Sequence, residues 1–186
     1  MKIEVISLIY KSTQYLRFIE DQMQRYCVSD KHDIGIRIVA NYPSDNILQA
    51  LLSLKIPYTI YNDKNPTDYY LNRVYRSYNY AGACSTYDLV RFINSDMALS
   101  PGWIDALLDN YDGKTIPVSR LVESGKMLSG TYGISENFGR SPSQFDETGW
   151  LKFVENISEK RCMLGGLYMP CVFSTELFKN SGGYPE

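Results

Sequence analysis

A short polar group follows one of the most apolar stretches of this 186-residue chain. Residues 89–93 are predicted to form a buried strand, and Asn94, Ser95 and Asp96 come directly after it. A carboxylate in that place can hold a hard divalent ion such as Mg2+ or Mn2+, which takes further oxygens from a diphosphate and neutralises a departing phosphate. The competing interpretation is that Asn94 and Asp96 only make a turn before the next helix.

Several common catalytic and nucleotide-binding motifs are absent from the sequence. The turn after the first predicted strand, residues 8–13, contains neither G-x-G-x-x-G nor G-x-x-x-x-G-K-[ST]. No G-x-S-x-G nucleophile elbow occurs. His32 is the one histidine, and it lies at the start of a predicted strand, so a structural or exposed role is favoured over a catalytic base. These observations argue against a dinucleotide fold, a P-loop ATPase and a serine hydrolase.

Strand-like runs alternate with helical patterns through the first part of the chain. The strands are predicted at residues 3–9, 34–40, 57–61 and 89–93. Ser12 is the predicted N-cap of the first helix, which has apolar residues at three- and four-residue spacing. Because parallel neighbours need crossover connections that usually contain helices, we predict an α/β domain with a mostly parallel central sheet flanked by helices. Ligands bind outside the carboxyl ends of such strands, where Asp96 is expected to lie.

Beyond residue 112 the alternation is less regular. One further strand is predicted at residues 115–121, a long surface excursion at 130–149, a helix at 150–157, a strand at 163–173 and a helical turn around Phe178. No repeat, low-complexity tract or linker is visible, so we expect one domain.

Composition and charge restrict the class of protein. Nineteen Lys and Arg residues stand against 21 Asp and Glu residues, which gives a net charge of −2, and the sequence pI is about 5.5. Such a chain has no broad positive field, so we expect no nucleic-acid partner. No apolar run approaches the roughly 20 residues of a membrane span, and the first ten residues lack a secretory signal. We therefore expect a cytoplasmic protein without a transmembrane segment.

The four cysteines, Cys27, Cys84, Cys162 and Cys171, form no C-x-x-C pair. A zinc site is therefore not expected. Buried, reduced thiols are favoured, and two disulfides remain open as the alternative.

Tyrosines are dense between residues 69 and 80. Aromatic faces pack well on sugar rings, but Tyr75 and Tyr78 lie at helical spacing. We therefore predict that these two are core residues with their hydroxyl groups at the rim.

Several short motifs occur in an order that resembles the family 2 glycosyltransferases. These are the opening strand, Asn94-Ser95-Asp96, Pro101-Gly102-Trp103, and the late segment from Leu164-Gly165-Gly166 through Gly182-Gly183-Tyr184-Pro185-Glu186. The resemblance covers nearly the whole chain. It implies the Rossmann-like fold of A-type nucleotide-diphospho-sugar transferases. It also implies transfer of a sugar from a nucleoside-diphosphate donor such as a UDP-sugar to a carbohydrate or other hydroxyl acceptor, usually with inversion.

The resemblance also implies a set of site residues. Asp96 matches the last carboxylate of the family's D-x-D motif and is expected to be catalytic by holding Mn2+ or Mg2+ against the diphosphate, while Asn94 stands where an Asp is more typical. Asn41 matches a position that often carries a base-reading Asp. Asn79 matches the Asn of the R-N helix motif, with Arg76 near the position where Tyr78 replaces the Arg. The expected nucleotide-sugar-binding residues are Ile9, Tyr10, Lys11, Asn41, Arg76, Asn79, Asn94, Ser95 and Asp96.

The family's general base is an Asp or Glu several residues beyond the G-G-x-x-E element, which here is residues 182–186. We therefore expect the base in a further carboxyl-terminal portion, with Glu186, Asp146 and Glu147 as substitutes within this chain. On this view residues 1–97 form the nucleotide-sugar-binding part and 98–186 the start of the acceptor side.

Two other functions are kept open. A nucleotidyltransferase shares the diphosphate chemistry, although its usual Gly- and Arg-rich loop after the first strand is absent. A non-catalytic binding module is the second alternative, and the neutral Asn94 motivates it.

Overall fold

The computed structural model describes residues 1–125, 132–159, 162–165 and 171–185. The strands are β1 Lys2–Ile9, β2 Asp33–Asn41, β3 Tyr58–Tyr61, β4 Leu89–Asn94, β5 Val122–Glu123, β6 Ile134–Ser135 and β7 Val172–Ser174. The helices are α1 Thr13–Tyr26, α2 Asp45–Leu51, α3 Tyr70–Ala83, α4 Trp103–Leu108, α5 Glu147–Ile157 and α6 Thr175–Asn180, with a 3-10 turn at Pro142–Gln144.

The centre of the structure is a five-stranded sheet in the order β3-β2-β1-β4-β7. Strands β1 to β4 are parallel and β7 runs antiparallel to β4. A separate parallel pair contains β5 and β6.

The four predicted parallel strands and the helices between them are confirmed, because local signals define each of them. Ser12 accepts a hydrogen bond from the backbone N–H of Tyr15, which satisfies one of the free donors at the start of α1. The predicted apolar face of α1 is buried against the sheet. The mostly parallel sheet flanked by helices is therefore the architecture that the strand and helix pattern predicted.

Helices cover both faces of the sheet. Residues of α1, α2 and α4 pack with Ile3, Val5 and Ile93 in the larger core cluster. Residues of α3 and α6 pack on the opposite face in a smaller cluster that contains Tyr78 and Phe178. Tyr78 is fully buried and Tyr75 is half-buried, so the prediction that Tyr78 belongs to the core is confirmed.

The later part of the chain departs from the sequence-based expectations. The strand expected at 115–121 is wrong: the segment is irregular and makes one isolated bridge, between Val118 and Cys171. Pro117 lies within it and has no N–H for a strand ladder. The strand expected at 163–173 is limited, among the described residues, to β7, and residues 166–170 lie outside the description. Helix α5 starts earlier than expected because Asp146 caps it by accepting a hydrogen bond from the Gly149 N–H.

All four cysteine thiols are free, and they differ in their exposure to solvent. Cys27 and Cys171 are buried as expected, whereas Cys84 and Cys162 are exposed, so the expectation of burial is wrong for those two. In the described part of the chain, no helix combines the length and the apolar character that crossing a membrane requires.

Candidate functional site

The order of the strands reverses between β1 and β4, and this is where open α/β sheets bind ligands. Leu8 pairs with Asn94 across these strands, so the turn that follows β1 and the turn that follows β4 leave the sheet side by side. Ile9 pairs with Ala40 of β2, so Tyr10 and Asn41 are the next neighbours along the same edge. We call Tyr10, Asn41, Arg73, Asn94 and Asp96 the carboxyl-edge site.

Asp96 faces solvent at this edge. Its side chain makes no hydrogen bond or ion pair with any described residue. It also does not cap the next helix, because the N-cap of α4 is Gly102 and no side chain bonds there. The turn interpretation holds only for the backbone at Asn94, whose carbonyl accepts a hydrogen bond from the Met97 N–H. Asp96 is therefore available to a ligand.

Asn94 is tied to helix α3 by a buried hydroxyl group. The Tyr78 hydroxyl lies 3.0 Å from the amide oxygen of Asn94 and 3.0 Å from the carbonyl oxygen of Ile93. Burial raises the pKa of Tyr78, and the charges of Tyr184 and Asp96 raise it further, so the hydroxyl keeps its proton. The side chain that replaces an expected carboxylate is thus oriented by a neutral donor.

The side chains available as metal ligands at this edge restrict which metal can bind. No group of three or more His, Cys, Asp or Glu side chains in the described ranges is placed to hold a metal ion. Asp96 supplies one free carboxylate. One carboxylate fits Mg2+ or Mn2+ when the substrate supplies phosphate oxygens, because Mg2+ is commonly held by one or two carboxylates together with substrate phosphates. It does not fit a closed structural metal site.

The other end of the carboxyl-edge site is centred on Arg73, which sequence reasoning missed. Arg73 is 8% exposed, and its Nη1 donates a 2.7 Å hydrogen bond to the Tyr10 hydroxyl. Its guanidinium carbon lies 4.4 Å from the centre of the Tyr10 ring. Burial acts to raise the pKa of Tyr10, but hydrogen bonds from Arg73 and Lys11 and their charges outweigh it and lower that pKa. Arg73 lies in the first turns of α3, where side chains point toward the amino end of the helix, and this was the available signal.

Asn41, at the end of β2, is 3% exposed. Its Nδ2 donates a 3.0 Å hydrogen bond to the carbonyl oxygen of Arg73. Its Oδ1 is buried and has no hydrogen-bond partner among the described residues. The same holds for Nε and Nη2 of Arg73. Buried polar atoms are normally paired, so this set of atoms is suited to a ligand.

Arg76, expected to bind the donor, is occupied within the protein. Its Nε and Nη2 bind the two carboxylate oxygens of Asp63 at 3.0 and 3.1 Å, and its Nη1 lies 2.9 Å from Asp68. Burial acts to raise the pKa of Asp63, but hydrogen bonds from Arg76, the Asn65 backbone and Asn41 outweigh it and lower that pKa. Arg76 thus fixes the loop after β3, and contact with a donor stays a prediction.

Asn79 holds the glycine-rich turn that follows α6. Its Nδ2 donates to the Tyr184 carbonyl at 2.9 Å, and its Oδ1 accepts from the Tyr184 N–H at 2.8 Å. Gly183 has a φ of +79°, and a Cβ at that position would collide with Asn79 Oδ1. The ring of Tyr184 stacks on Tyr75 with centroids 5.2 Å apart. In this structure Asn79 binds backbone, and its role toward a donor stays a prediction.

The remaining expected residues are placed as follows. The Ile9 side chain is 2% exposed and lies in the core, so only its peptide group can face a ligand. Lys11 and Ser95 lie in the two turns at the edge, and Lys11 Nζ lies 4.7 Å from the centre of the Tyr10 ring. Glu186 lies outside the described residues. His32 contacts Asp109 and the terminal amine, beside the start of β2.

Asp146 and Glu147 are used for helix docking. Asp146 caps α5, and Glu147 accepts hydrogen bonds from Arg25, Tyr26 and Gln22 on α1. Helix α1 leaves the carboxyl edge at its first residue and spans about 20 Å, so its last turn lies near the opposite edge. Neither carboxylate belongs to the carboxyl-edge site, and the expectation that one substitutes as the base has no support in this geometry.

Two surface cavities of about 290 and 530 Å3 lie beside α6. The first is lined by residues such as Lys114 and Leu177, and the second by residues such as Thr86 and Lys179. Neither contains a residue of the carboxyl-edge site.

Comparison with known proteins connects this geometry to a fold. The sequence matches no protein-family model and no curated protein. Among solved structures, S. aureus TarS residues 1–349 matches with a TM-score of 0.61 at 13% identity, covering 97% of this chain and 49% of that one. The chain adopts the A-type glycosyltransferase fold.

Two further structures share the A-type glycosyltransferase fold. Glucosyl-3-phosphoglycerate synthase from Mycobacterium tuberculosis, in complex with Mg2+ and UDP, has a TM-score of 0.53 at 14% identity and covers 95% of this chain and 57% of its own. The mannosyltransferase PcManGT from Pyrobaculum calidifontis, in complex with GDP-Man and Mn2+, has a TM-score of 0.56 at 14% identity, with coverages of 98% and 47%. The chain spans about half the length of these three solved structures. The fold expected from the motif order is confirmed.

Proposed function

We propose that the chain binds a nucleoside-diphosphate sugar at the carboxyl-edge site and belongs to an enzyme that transfers the sugar to an acceptor hydroxyl. The observation that carries this proposal is the carboxylate of Asp96, which lies on the same sheet edge as buried polar atoms of Arg73 and Asn41. None of these groups has a hydrogen-bond partner among the described residues. The Asp96 carboxylate suits a metal-bound diphosphate, and the polar atoms of Arg73 and Asn41 suit the nucleobase of the donor. Structures of the same fold bind UDP-GlcNAc, UDP with Mg2+, and GDP-Man with Mn2+.

In the proposed arrangement Asp96 and the donor phosphates hold Mg2+ or Mn2+ together. When bound, the metal neutralises the charge that forms on the departing diphosphate. Asn94, held by Tyr78, borders the same turn and is available to orient a phosphate or a sugar hydroxyl. Tyr10 and Lys11, in the turn that follows β1, line the neighbouring part of the donor site. All of these residues precede residue 98, so we assign donor binding to residues 1–97 and the acceptor side to 98–186. Transfer with inversion is part of the proposal.

Binding measurements with a matched pair of variants test the donor site. Asp96→Asn removes the free carboxylate, whereas Asp30→Asn removes an exposed carboxylate beside the start of β2. We expect at least one of the UDP-, GDP-, CDP- and dTDP-sugars to bind by calorimetry in the presence of Mn2+. We expect Asp96→Asn to weaken it about 30-fold or more, about 2 kcal/mol, because the carboxylate is a direct partner of the metal. Asp30→Asn should bind as the wild type does.

The proposal is wrong if none of these sugars binds, or if Asp96→Asn binds the donor as tightly as the wild type does. If the affinity for the donor sugar is the same with and without added metal, the metal is not part of the site, and the proposal of donor binding remains.

A non-catalytic donor-binding module is the second candidate, favoured by the neutral Asn94 beside a lone carboxylate. It predicts donor binding without turnover. Release of nucleoside diphosphate from a bound donor sugar, dependent on Asp96 and added acceptor, would exclude it.

A further inference from the structure

The turn that carries Asp96 is anchored on both sides of the carboxylate. Before it, the Asn94 carbonyl oxygen accepts a hydrogen bond from the Met97 N–H, and the Asn94 side chain accepts one from the Tyr78 hydroxyl group. After it, Leu99 is 6% exposed and lies in the larger core cluster. Only two residues separate Leu99 from Asp96. The position of Leu99 therefore restricts where the Asp96 carboxylate can lie.

Side chains from two helices bind the two backbone polar groups of Leu99. Oε1 of Gln22, on α1, accepts a 2.8 Å hydrogen bond from the Leu99 N–H. Nε1 of Trp150, on α5, donates a 3.0 Å hydrogen bond to the Leu99 carbonyl oxygen. Backbone polar groups that are buried outside regular structure need such partners. Gln22 and Trp150 thus fix the backbone three residues beyond Asp96.

The same glutamine also joins the two helices to each other. Nε2 of Gln22 donates a 3.4 Å hydrogen bond to Glu147, the first residue of α5, and Glu147 also accepts hydrogen bonds from Arg25 and from the Tyr26 hydroxyl group. The hydrogen bond from Arg25 lowers the pKa of Glu147 in spite of burial, so this carboxylate stays ionised. Glu147 and Trp150 are three residues apart and share one face of α5. The amide of Gln22 therefore links the turn after β4 to the docking of α5.

Helix α5 is packed more lightly than α1. None of its residues, all of which the structure describes, is buried, whereas six residues of α1 are. Its apolar contacts include Leu151 against the larger core cluster and the rings of Trp150 and Phe153 against Phe138. Elements with few buried contacts open at a lower free energy than the core does. The hydrogen bonds to Leu99 and to α1 are therefore expected to contribute to keeping α5 in place.

This inference rests on the proposed donor binding: we infer that Gln22 and Trp150 are positioning residues, which hold the Asp96 carboxylate where it meets a metal-bound diphosphate. Both act through the backbone of Leu99 and not by touching the donor. Because Trp150 lies on α5, in the part assigned to the acceptor side, docking of α5 is a condition for tight donor binding. Partners that orient a metal ligand typically contribute about 10- to 100-fold to metal affinity.

A double-mutant cycle on the 186-residue chain tests this role. Gln22→Met keeps the length of the side chain but removes the acceptor, and calorimetry with UDP-, GDP-, CDP- and dTDP-sugars and Mn2+ measures the affinity. For a sugar that binds the wild type, Gln22→Met should weaken binding about 10-fold. Asp96→Asn should weaken it about 30-fold in the wild type but only about threefold in Gln22→Met, because a misplaced carboxylate contributes little. A merely structural role predicts independent losses, which multiply to about 300-fold in the double variant.

Trp150→Phe tests the same role from the other helix. It keeps an aromatic ring but removes the N–H that binds the Leu99 carbonyl oxygen. It should reduce the effect of Asp96→Asn as Gln22→Met does, and it decides the inference if Gln22→Met fails to fold. The matched control is Gln24→Met, the same change two residues away on the exposed side of α1. It should bind the donor as the wild type does.

Three results would overturn the inference while leaving the proposed function intact. The first is wild-type affinity in a folded Gln22→Met or Trp150→Phe variant. The second is a loss that multiplies with that of Asp96→Asn, and the third is an equal loss in Gln24→Met. If none of the four sugars binds the wild type, the proposed function is overturned and this inference with it.

Discussion

The carboxyl-edge site is built differently at its two ends. After β4, Asn94 and Asp96 are exposed, and Asp96 has no partner in the described ranges. After β2 and in α3, Asn41 and Arg73 are 3% and 8% exposed. The Asp63 side chain beneath them is fully buried and paired with Arg76. We therefore expect substitutions at the exposed end to leave the stability of the fold unchanged, and substitutions at the buried end to lower it.

The largest effect should come from Asp63→Asn at the buried end. The change leaves Arg76 without its bidentate partner in a buried place, and breaking such a pair costs about 3 kcal/mol of the free energy of unfolding. Urea denaturation at pH 7 measures this loss. A change below about 1 kcal/mol would show that Asp68 alone satisfies Arg76 and that the two ends do not differ as described.

The pH dependence of this loss has a definite sign. The pKa of Asp63 is lowered from its ordinary 3.8 in the folded state, so its stabilising effect is present above that value. The effect is lost as pH falls through the lower folded value. The stability difference between the wild type and Asp63→Asn should therefore be full at pH 7 and shrink as pH falls below 3.8. A difference that stays constant with pH would contradict the ion pair as its source.

Gly183→Ala should have the next largest effect, because it disturbs the two hydrogen bonds between the Asn79 amide and the Tyr184 backbone. The residue has a positive φ, and the added Cβ would meet the Asn79 amide, so we expect a loss of about 2 to 3 kcal/mol. Gly182→Ala is the matched control, because Gly182 has a similar φ of +81° but open space around it. It should lose about 1 kcal/mol. If thermal unfolding gives equal losses of stability for Gly183→Ala and Gly182→Ala, the Asn79–Tyr184 hydrogen bonds contribute nothing to stability.

Asp96→Asn should have the smallest effect on stability, within about 0.5 kcal/mol, because the side chain is exposed and pairs with none of the residues that the structure describes. The same variant is expected to lose most of its metal-dependent donor binding. Compared with Asp63→Asn, it makes the same chemical change at the opposite end of the site. A large loss of stability in Asp96→Asn would remove the contrast between the two ends.

Local sequence signals predicted the regular half of the fold. Strands β1 to β4 and helices α1 and α3 are long and periodic, so the spacing of their apolar residues specifies their faces. The exposure of Asp96 followed from its place after β4. The segment 115–121 was wrongly predicted as a strand because its apolar residues resemble one, whereas Pro117 lacks the N–H that a strand ladder requires.

Long-range partners explain what sequence reasoning missed at the site. Arg73 and Arg76 lie one turn apart, and nothing in the sequence tells which of them Asp63 will bind. The Asn79 amide found its partner 105 residues away, at Tyr184, a contact that no local pattern reveals. Pairings of this kind are decided by packing, after the elements have formed.

The distance along the chain between β4 and β7 bears on how the protein is made. The four parallel strands are complete in the sequence by residue 94, but β7, which shields the outer side of β4, begins only at residue 172. A nascent chain emerging from the ribosome must therefore carry an uncovered strand edge through the synthesis of the intervening segment. In that interval an intermediate without β7 is exposed to self-association, and cotranslational chaperones have an obvious target.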